Sequence, residues 1–321
     1  MTPPAFKYVD GARATSVAIA YATAGHALAI ALLCTGSWPA RLAGTLLAAH
    51  TLVIAAYLTH ECIHESVFRE HRWNARLGAL LTWLCGGAAA GYERLRRKHL
   101  HHHLDRVDPI AFDYRTFLVG HPLVRGVVTA LEWIHVPALE LLLRSVSIVR
   151  PFRNPAFAGE RRRVAVVVMS RAVFAGVLLV LGPVVLSLYV VAYLLFVVAA
   201  RLGDAFHHTF DLIVVPDYGL DFGPPPGKDR LYEQANTFTN PLSMRWPVLN
   251  LLVLNFVFHN AHHDKPGIPW HRLPALDHRL YGDDSRQVVP LRRLLAEFHR
   301  HRVARLLRDA PGAVGVSLLT L

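Results

Sequence analysis

A chain of 321 residues that is 53% hydrophobic and only 18% charged is too apolar for an ordinary soluble domain of its size. Its net charge of +11, from 34 basic and 23 acidic residues, argues for no nucleic acid partner: in so apolar a chain the cations belong in the lipid headgroup zone, where they set orientation. Cys34, Cys62 and Cys85 form no C-x-x-C pair, which argues against a disulfide framework or a thiolate zinc site.

Taken in order, the chain predicts an all-α integral membrane bundle, a single domain over residues 1–321. The opening Met-Thr-Pro-Pro lacks a basic n-region and a cleavage site, so the first apolar run, residues 16–36, is expected to be a retained span. It is long enough to cross a hydrocarbon core of ~30 Å. His26 inside it is expected to pack on a neighbouring helix. A turn at Gly36-Ser-Trp-Pro-Ala-Arg41, with Trp38 at the interface, leads to a returning span at 42–62. That hairpin brings His60 and His64 back to the side of the N-terminus. Residues 77–91 are apolar but short and rich in small side chains, as in a re-entrant or interfacial element. Residues 122–149 alternate apolar turns with Arg125, Glu132, His135, Glu140 and Arg144, the pattern of an amphipathic helix lying on the membrane surface.

After a breaker at Arg150-Pro-Phe-Arg-Asn-Pro and a charged clamp at Glu160-Arg-Arg-Arg163, the chain is almost wholly apolar from Val164 to Ala200. That length accommodates two spans, near 164–181 and 184–201, joined at Gly182-Pro183. Arg171 within them is expected to snorkel or to pair with a polar neighbour. Residues 201–211 return to the N-terminal side, followed by a Pro/Gly-rich loop over 212–246 centred on Gly223-Pro-Pro-Pro-Gly227. Residues 247–258 are apolar but too short to span, so packing on protein or at the interface is expected before His259. The two distal turns carry only Arg41, whereas nearly all other Lys and Arg lie on the face with the histidine-rich segments. By the positive-inside rule that histidine-rich cap is expected to be cytoplasmic.

Eleven of the twenty histidines fall in four short windows. These are His60-Glu-Cys-Ile-His64, Lys98-His-Leu-His-His-His103, Ala205-Phe-His-His-Thr-Phe-Asp211 and Phe258-His-Asn-Ala-His-His-Asp264. Residues four apart on a helix lie about 40° apart around its axis, so His60 and His64 can converge on one metal. His99 and His103 share a face while His102 points to the other side of His99, and an H-x-x-H-H triplet can thus serve two metals. Nine imidazoles suggest two ions, since one zinc with three or four ligands would leave most of them unused. Imidazole suits zinc, copper, iron or nickel. Iron is favoured by the setting, because attack on unactivated C–H bonds of an apolar substrate needs an oxidant derived from O2, which zinc cannot generate.

These motifs resemble those of the membrane fatty acid desaturase and hydroxylase superfamily, over nearly the whole chain. Its H-x(3,4)-H, H-x-x-H-H and final H-x-x-H-H boxes are matched by His60/His64, His99/His102/His103 and His259/His262/His263. The resemblance extends to Glu233-Gln-Ala-Asn-Thr-Phe and to His263-Asp-Lys-Pro-Gly-Ile-Pro-Trp270. It implies those eight histidines as ligands of two nonhaem iron ions, with O2 as cosubstrate. It also implies a ninth ligand between the last span and the final box, placed at His208, with His207 as the fallback. The implied reaction is desaturation of a fatty acyl chain, with hydroxylation of a fatty acid, alkane or carotenoid-like substrate as the alternative. No haem-attachment motif, cysteine cluster or nucleotide-binding glycine motif appears. Electrons must then come from a separate protein, such as an acidic ferredoxin or rubredoxin with its reductase, meeting the arginine-rich face.

Metal-bound imidazoles usually donate their second N–H to a carboxylate or carbonyl. Asp204 precedes His208 by four, Asp211 follows His207 by four and Asn255 precedes His259 by four, so these residues and His207 are expected to support the ligands. Asp105, Asp108 and Asp264 flank the boxes and are further candidates. A competing reading comes from His60-Glu61-Cys-Ile-His64, a literal H-E-x-x-H in which glutamate would be the general base of a membrane zinc protease. Two further triplet boxes disfavour it, because a mononuclear protease has no use for six more clustered imidazoles. A noncatalytic metal transporter is disfavoured by the position of the boxes at span ends, since transporters place ligands near the midplane.

Overall fold

The computed structural model describes residues 5–110, 112–214, 227–304 and 306–307. In chain order its helices and strands are α1 (Ala12–Leu33), α2 (Trp38–Ile63), α3 (His71–Leu84), α4 (Tyr92–Asp105), β1 (Asp108–Ile110), α5 (Tyr114–Gly120), α6 (Pro122–Trp133) and α7 (Ala138–Arg153). They continue with α8 (Arg161–Leu181), α9 (Pro183–Asp204), β2 (Leu212–Val214), α10 (Arg230–Ala235), α11 (His259–Asp264), α12 (Leu273–Tyr281) and α13 (Leu291–Ala304). The expected glycine- and proline-rich loop centre, residues 223–226, and the opening four residues lie outside the described residues.

Four helices, α1, α2, α8 with its preceding turn, and α9, are long and apolar enough to cross a membrane. They form the two predicted hairpins. α2 is their centre: 72% of its most apolar window is buried, against 11% for that of α8, whose side chains face outward. Small residues let the central helices approach. Ala22 and Ala29 of α1, Ala48 of α2 and Ala192 of α9 are all fully buried, the composition expected where van der Waals packing drives helix association in lipid. Gly44 sits where a Cβ would lie 2.8 Å from the Ala29 carbonyl oxygen. Outward from this core, Val166, Met169, Val173 and Val180 of α8 remain exposed, as lipid-facing residues should.

All four spans differ in their bounds from the sequence expectation, α1 running from Ala12 to Leu33 where 16–36 was expected. α2 begins at Trp38, with Pro39 in its first turn, because proline there forfeits only an amide that no helical carbonyl could accept. α8 begins at Arg161 because the clamp is internally satisfied: Arg163 pairs with Glu160 at 2.8 Å and Arg161 Nε donates to the Pro151 carbonyl at 2.8 Å. α9 runs on to Asp204 because Arg201 is neutralised inside the protein rather than at a membrane surface. His26 and Arg171 behave as expected: His26 Nδ1 meets Thr51 Oγ1 at 2.9 Å, and Arg171 donates to the Trp83 carbonyl at 3.1 Å while stacking on the Trp83 ring.

The surface helix expected over 122–149 is corrected in two respects. It is two helices, broken at residues 134–137 where Pro137 interrupts the ladder and His135 adopts a positive φ of 64°. Two of its acids also point inward: Glu132 and Glu140 are both 0% exposed. Arg201 Nη1 donates to both Glu132 oxygens at 2.8 and 3.0 Å, and Arg302 of α13 donates to the Glu132 carbonyl. Residues 71–84 form a 14-residue helix packed on α2, too short to span, and residues 247–253 form a 3-10 turn. The two-stranded β1–β2 ribbon, three residues long and parallel in register Asp108 to Leu212, was not foreseen in the sequence.

Candidate metal centre

Four backbone devices aim the histidines. α2 carries His60 in its last turn and ends on His64 as its C-cap. α4 displays His99, His102 and His103 on one turn and stops at Arg106, whose left-handed conformation (φ 54°) redirects the chain into β1. After α9, Phe206 also turns left-handed (φ 62°), and His208 is pinned by a bridge to Thr237. Leu254 and Asn255 take positive φ in succession, ending the 3-10 turn so that the short helix α11 can present His259, His262 and His263. The C-terminal ends of both hairpins thereby meet the two triplet helices.

The nine histidines gather into two groups. His60, His64, His99, His103 and His262 form one, and His102, His208, His259 and His263 the other; within each, one ring nitrogen per residue lies within 4.8 Å of every other. Both triplets divide in the same way, the i and i+4 members to one group and the i+3 member to the other. The groups are contiguous, since the His103 and His263 rings stack with centroids 4.0 Å apart.

Ring nitrogens meet nitrogens throughout. His99 Nε2 lies 2.9 Å from His64 Nε2 and 3.1 Å from His103 Nε2; His208 Nε2 lies 3.0 Å from His102 Nε2 and 2.7 Å from His259 Nε2. Such convergence leaves lone pairs facing each other, because each neutral imidazole supplies one N–H and one acceptor. Both nitrogens of His60 and Nε2 of His263 are buried without any hydrogen-bond partner, a condition rare in folded proteins. Electrostatics point the same way. Burial first, and neighbouring histidines second, hold the His64, His99, His103, His208, His259 and His263 imidazoles well below their ordinary range. His262 is lowered to about 3 by the same causes. Neutral, converging, unpaired imidazoles are the donor set that a soft-to-borderline transition metal takes. The residues present therefore fit two metal ions.

Outside the two groups, His207 stacks on His259 with ring centroids 4.1 Å apart, its Nε2 buried without a partner. His101 turns away to Asp105, at 2.9 Å. Among the expected supporting acids, Asp108 Oδ1 lies 3.0 Å from His102 Nδ1, beside the Val107 carbonyl at 3.0 Å. Asp204 lines the adjoining cavity rather than bonding His208, because the helix ends before the i to i+4 geometry can apply. Asp211 pairs with Lys228 at 2.8 Å and its side chain is 72% exposed, and Asn255 donates to the Trp270 carbonyl at 3.3 Å; neither hydrogen-bonds the histidine expected of it. Asp264 pairs with Arg230.

Two supporting residues were missed in the sequence. Glu233 Oε1 accepts from His263 Nδ1 at 3.0 Å, and Thr237 Oγ1 lies 3.3 Å from His208 Nδ1. Both fall in the Glu233-Gln-Ala-Asn-Thr-Phe stretch, but their partners are 30 and 29 residues away, beyond the reach of any helical spacing rule. Glu61, the glutamate of the H-E-x-x-H pattern, accepts from Ser66 Oγ at 2.6 Å and from the Trp270 amide at 3.1 Å. A cavity abuts the metal centre, walled by Lys98, Asp108, Asp204, Pro109 and Phe256 together with five of the clustered histidines and His207. Burial pulls the Lys98 ammonium down to about 8.

Residues 36–294 match the family model described as fatty acid desaturase. No curated protein matches the chain.

Proposed function

The chain belongs to the fatty acid desaturase family, and from that premise we propose that it desaturates a fatty acyl chain at two irons held by the nine clustered histidines. Membership makes it an enzyme that acts on lipid chains with nonhaem diiron and O2. The observation that carries the residue assignment is the partition of nine imidazoles into adjoining groups of five and four. The first group takes His60, His64, His99, His103 and His262, the second His102, His208, His259 and His263.

When bound, the irons supply the O2-derived oxidant that removes hydrogen from an unactivated C–H bond. The protein's own part is positional. α2, α4 and α11 fix the imidazoles from packed helices, burial favours the neutral form of His64, His99, His103, His208, His259, His262 and His263, and Asp108, Glu233 and Thr237 hold three of the rings in a single orientation. Lys98, Asp108 and Asp204 in the adjoining cavity are groups that can hold and pass protons. Converting a CH2–CH2 unit to an alkene with one O2 consumes two electrons and two protons and releases two waters, so protons have to reach this buried site.

Hydroxylation starts from the same hydrogen removal and is the second reading; the family match favours desaturation. A zinc protease is not supported, because the chain matches the fatty acid desaturase family and its imidazoles form two adjoining groups where a mononuclear site would use three. Electrons are supplied by a separate acidic carrier such as a ferredoxin or rubredoxin with its reductase. The exposed Arg161 and Arg162 support a docking site at the start of α8. A cytoplasmic position for the histidines is supported by the charge pattern: the turns at 34–37 and 182 carry no Lys or Arg.

The test is expression in a host with a defined fatty acid profile, with lipids analysed by mass spectrometry and iron measured on the purified protein. The proposal requires lipids two mass units lighter and two irons per chain, both diminished by His102→Ala. Products sixteen units heavier would favour hydroxylation, and an active preparation without transition metal would overturn the reading.

A further inference from the structure

Resting on the diiron reading, we propose that the two metal positions are unequal, and that Asp108 and Glu233 are the positioning residues that make the His102/His208/His259/His263 position the tighter one. The other position offers five imidazoles against four, so the difference lies behind the rings and acts against ligand number. In that group His102 Nδ1 faces Asp108 Oδ1 at 3.0 Å, His263 Nδ1 faces Glu233 Oε1 at 3.0 Å, and His208 Nδ1 faces the Thr237 hydroxyl at 3.3 Å. In the other group His103 Nδ1, His262 Nδ1 and both nitrogens of His60 are buried with no partner, whereas in the His102 group only His259 Nδ1 lacks one on the side away from its neighbours. Among the described residues two carboxylates come near the His60 group without hydrogen-bonding it: Glu61 Oε1 stands 3.9 Å from His60 Nδ1 while its other oxygen is held by Ser66 and Trp270, and a Glu233 oxygen lies within 4.8 Å of a His103 ring nitrogen but is held by His263 and Arg106.

The two carboxylates are themselves anchored from elsewhere in the fold. Asp108 opens β1, where its amide donates to the Asp211 carbonyl at 2.9 Å. Glu233 receives Arg106 Nε on its second oxygen at 3.0 Å, and Arg106 also donates to the Lys228 carbonyl at 2.9 Å. Both oxygens of Glu233 thus face protein donors, which makes it a support for His263 rather than a tenth ligand. An imidazole whose Nδ1–H is held by a carboxylate is a stronger donor through Nε2 and is fixed in one tautomer, and loss of such a partner typically lowers metal affinity about 10–100-fold. The His263 Nε2, buried without a partner, is the nitrogen this leaves free for the metal.

The experiment is stepwise removal of iron from the purified, iron-loaded full chain by a graded chelator series, followed by iron content and Mössbauer spectra. The wild type should lose one iron first and keep the second until the chelator is about 10–100-fold more competitive, with two quadrupole doublets of which one disappears first. Glu233→Gln keeps an acceptor for His263 and removes the charge; Asp108→Asn does the same for His102. Each should draw the second step towards the first by that factor, and Glu233→Asp should restore part of the separation. His60→Ala, which leaves its group four imidazoles, should release that group's iron at a lower chelator strength than in the wild type while the other iron stays. A wild type whose two irons leave together, or a two-step curve unchanged in both neutral variants, overturns the inference while leaving the diiron reading intact. A wild type that takes up no iron overturns both.

Discussion

Arg201 in the last turn of α9 donates to both carboxylate oxygens of Glu132 on α6, at 2.8 and 3.0 Å, with the acid wholly buried and the arginine 4% exposed. The contact ties the second membrane hairpin to the helices beneath the histidine cap. Glu140 lies 4.0 Å from the same guanidinium, and Arg302 of α13 reaches Glu132 from the other side. Two buried acids and two buried arginines thus balance one another where neither charge could remain alone.

Breaking this pair should be severe, because it strands a charge that the interior cannot solvate. Arg201→Met is expected to lower unfolding stability by about 3–5 kcal/mol. Arg201→Met with Glu132→Leu, which removes both charges, should recover much of that loss. Thermal unfolding of detergent-solubilised protein reads both, and equal melting temperatures for Arg201→Met and wild type would show the pair to be dispensable.

The metal-free protein should be destabilised by acid over a defined window. His207 and His262 are held near 3, against an ordinary 6.5, by burial and by neighbouring histidines, and His64, His99, His103 and His208 are lowered in the same direction. The unfolded chain therefore binds more protons than the folded one below pH 6.5. Stability is complete above that value and falls progressively as pH drops towards the folded values near 3. Denaturation midpoints of chelator-stripped protein between pH 8 and pH 4 should decline on the acid side only. A flat profile would mean that the imidazoles are not buried in neutral form.

Gly44 should tolerate no side chain of any size. Its Cβ position lies 2.8 Å from the Ala29 carbonyl and 2.9 Å from Leu32 Cβ, so Gly44→Val must push α1 away from α2. Overpacking of this kind costs about 1–3 kcal/mol, and the variant should melt earlier while retaining the metal stoichiometry set by residues at the far end of α2. An unchanged melting temperature would count against the close approach of the two helices.

Reversing the charge at Arg161 and Arg162 should slow electron delivery without altering iron content, since both side chains are exposed and neither belongs to the metal centre. The rate of iron reduction by a reduced ferredoxin, followed in a stopped-flow spectrometer, should fall and lose its dependence on ionic strength. A rate equal to that of the wild type would place the docking site elsewhere.

The sequence by itself determined what local periodicity can carry. Four apolar runs of spanning length, a hairpin turn beginning near Gly36 and another at Gly182, and the split of an H-x-x-H-H triplet into two directions follow from hydropathy and from the helical repeat, both properties of neighbouring residues. Tertiary structure alone decided what depends on residues far apart in the chain. Glu132 and Glu140 carry the pattern of surface charges and became interior ones because Arg201 and Arg302, 69 and 170 residues beyond Glu132, arrive opposite them. Asp211 and Asn255 have the spacing of supporting residues but lose that geometry where the helices end. Glu233 has no such spacing and acquires the role when Arg106 and His263 are folded around it. Helical spacing predicts side-chain contacts only while the helix continues, and three of these four histidine windows sit where a helix starts or stops.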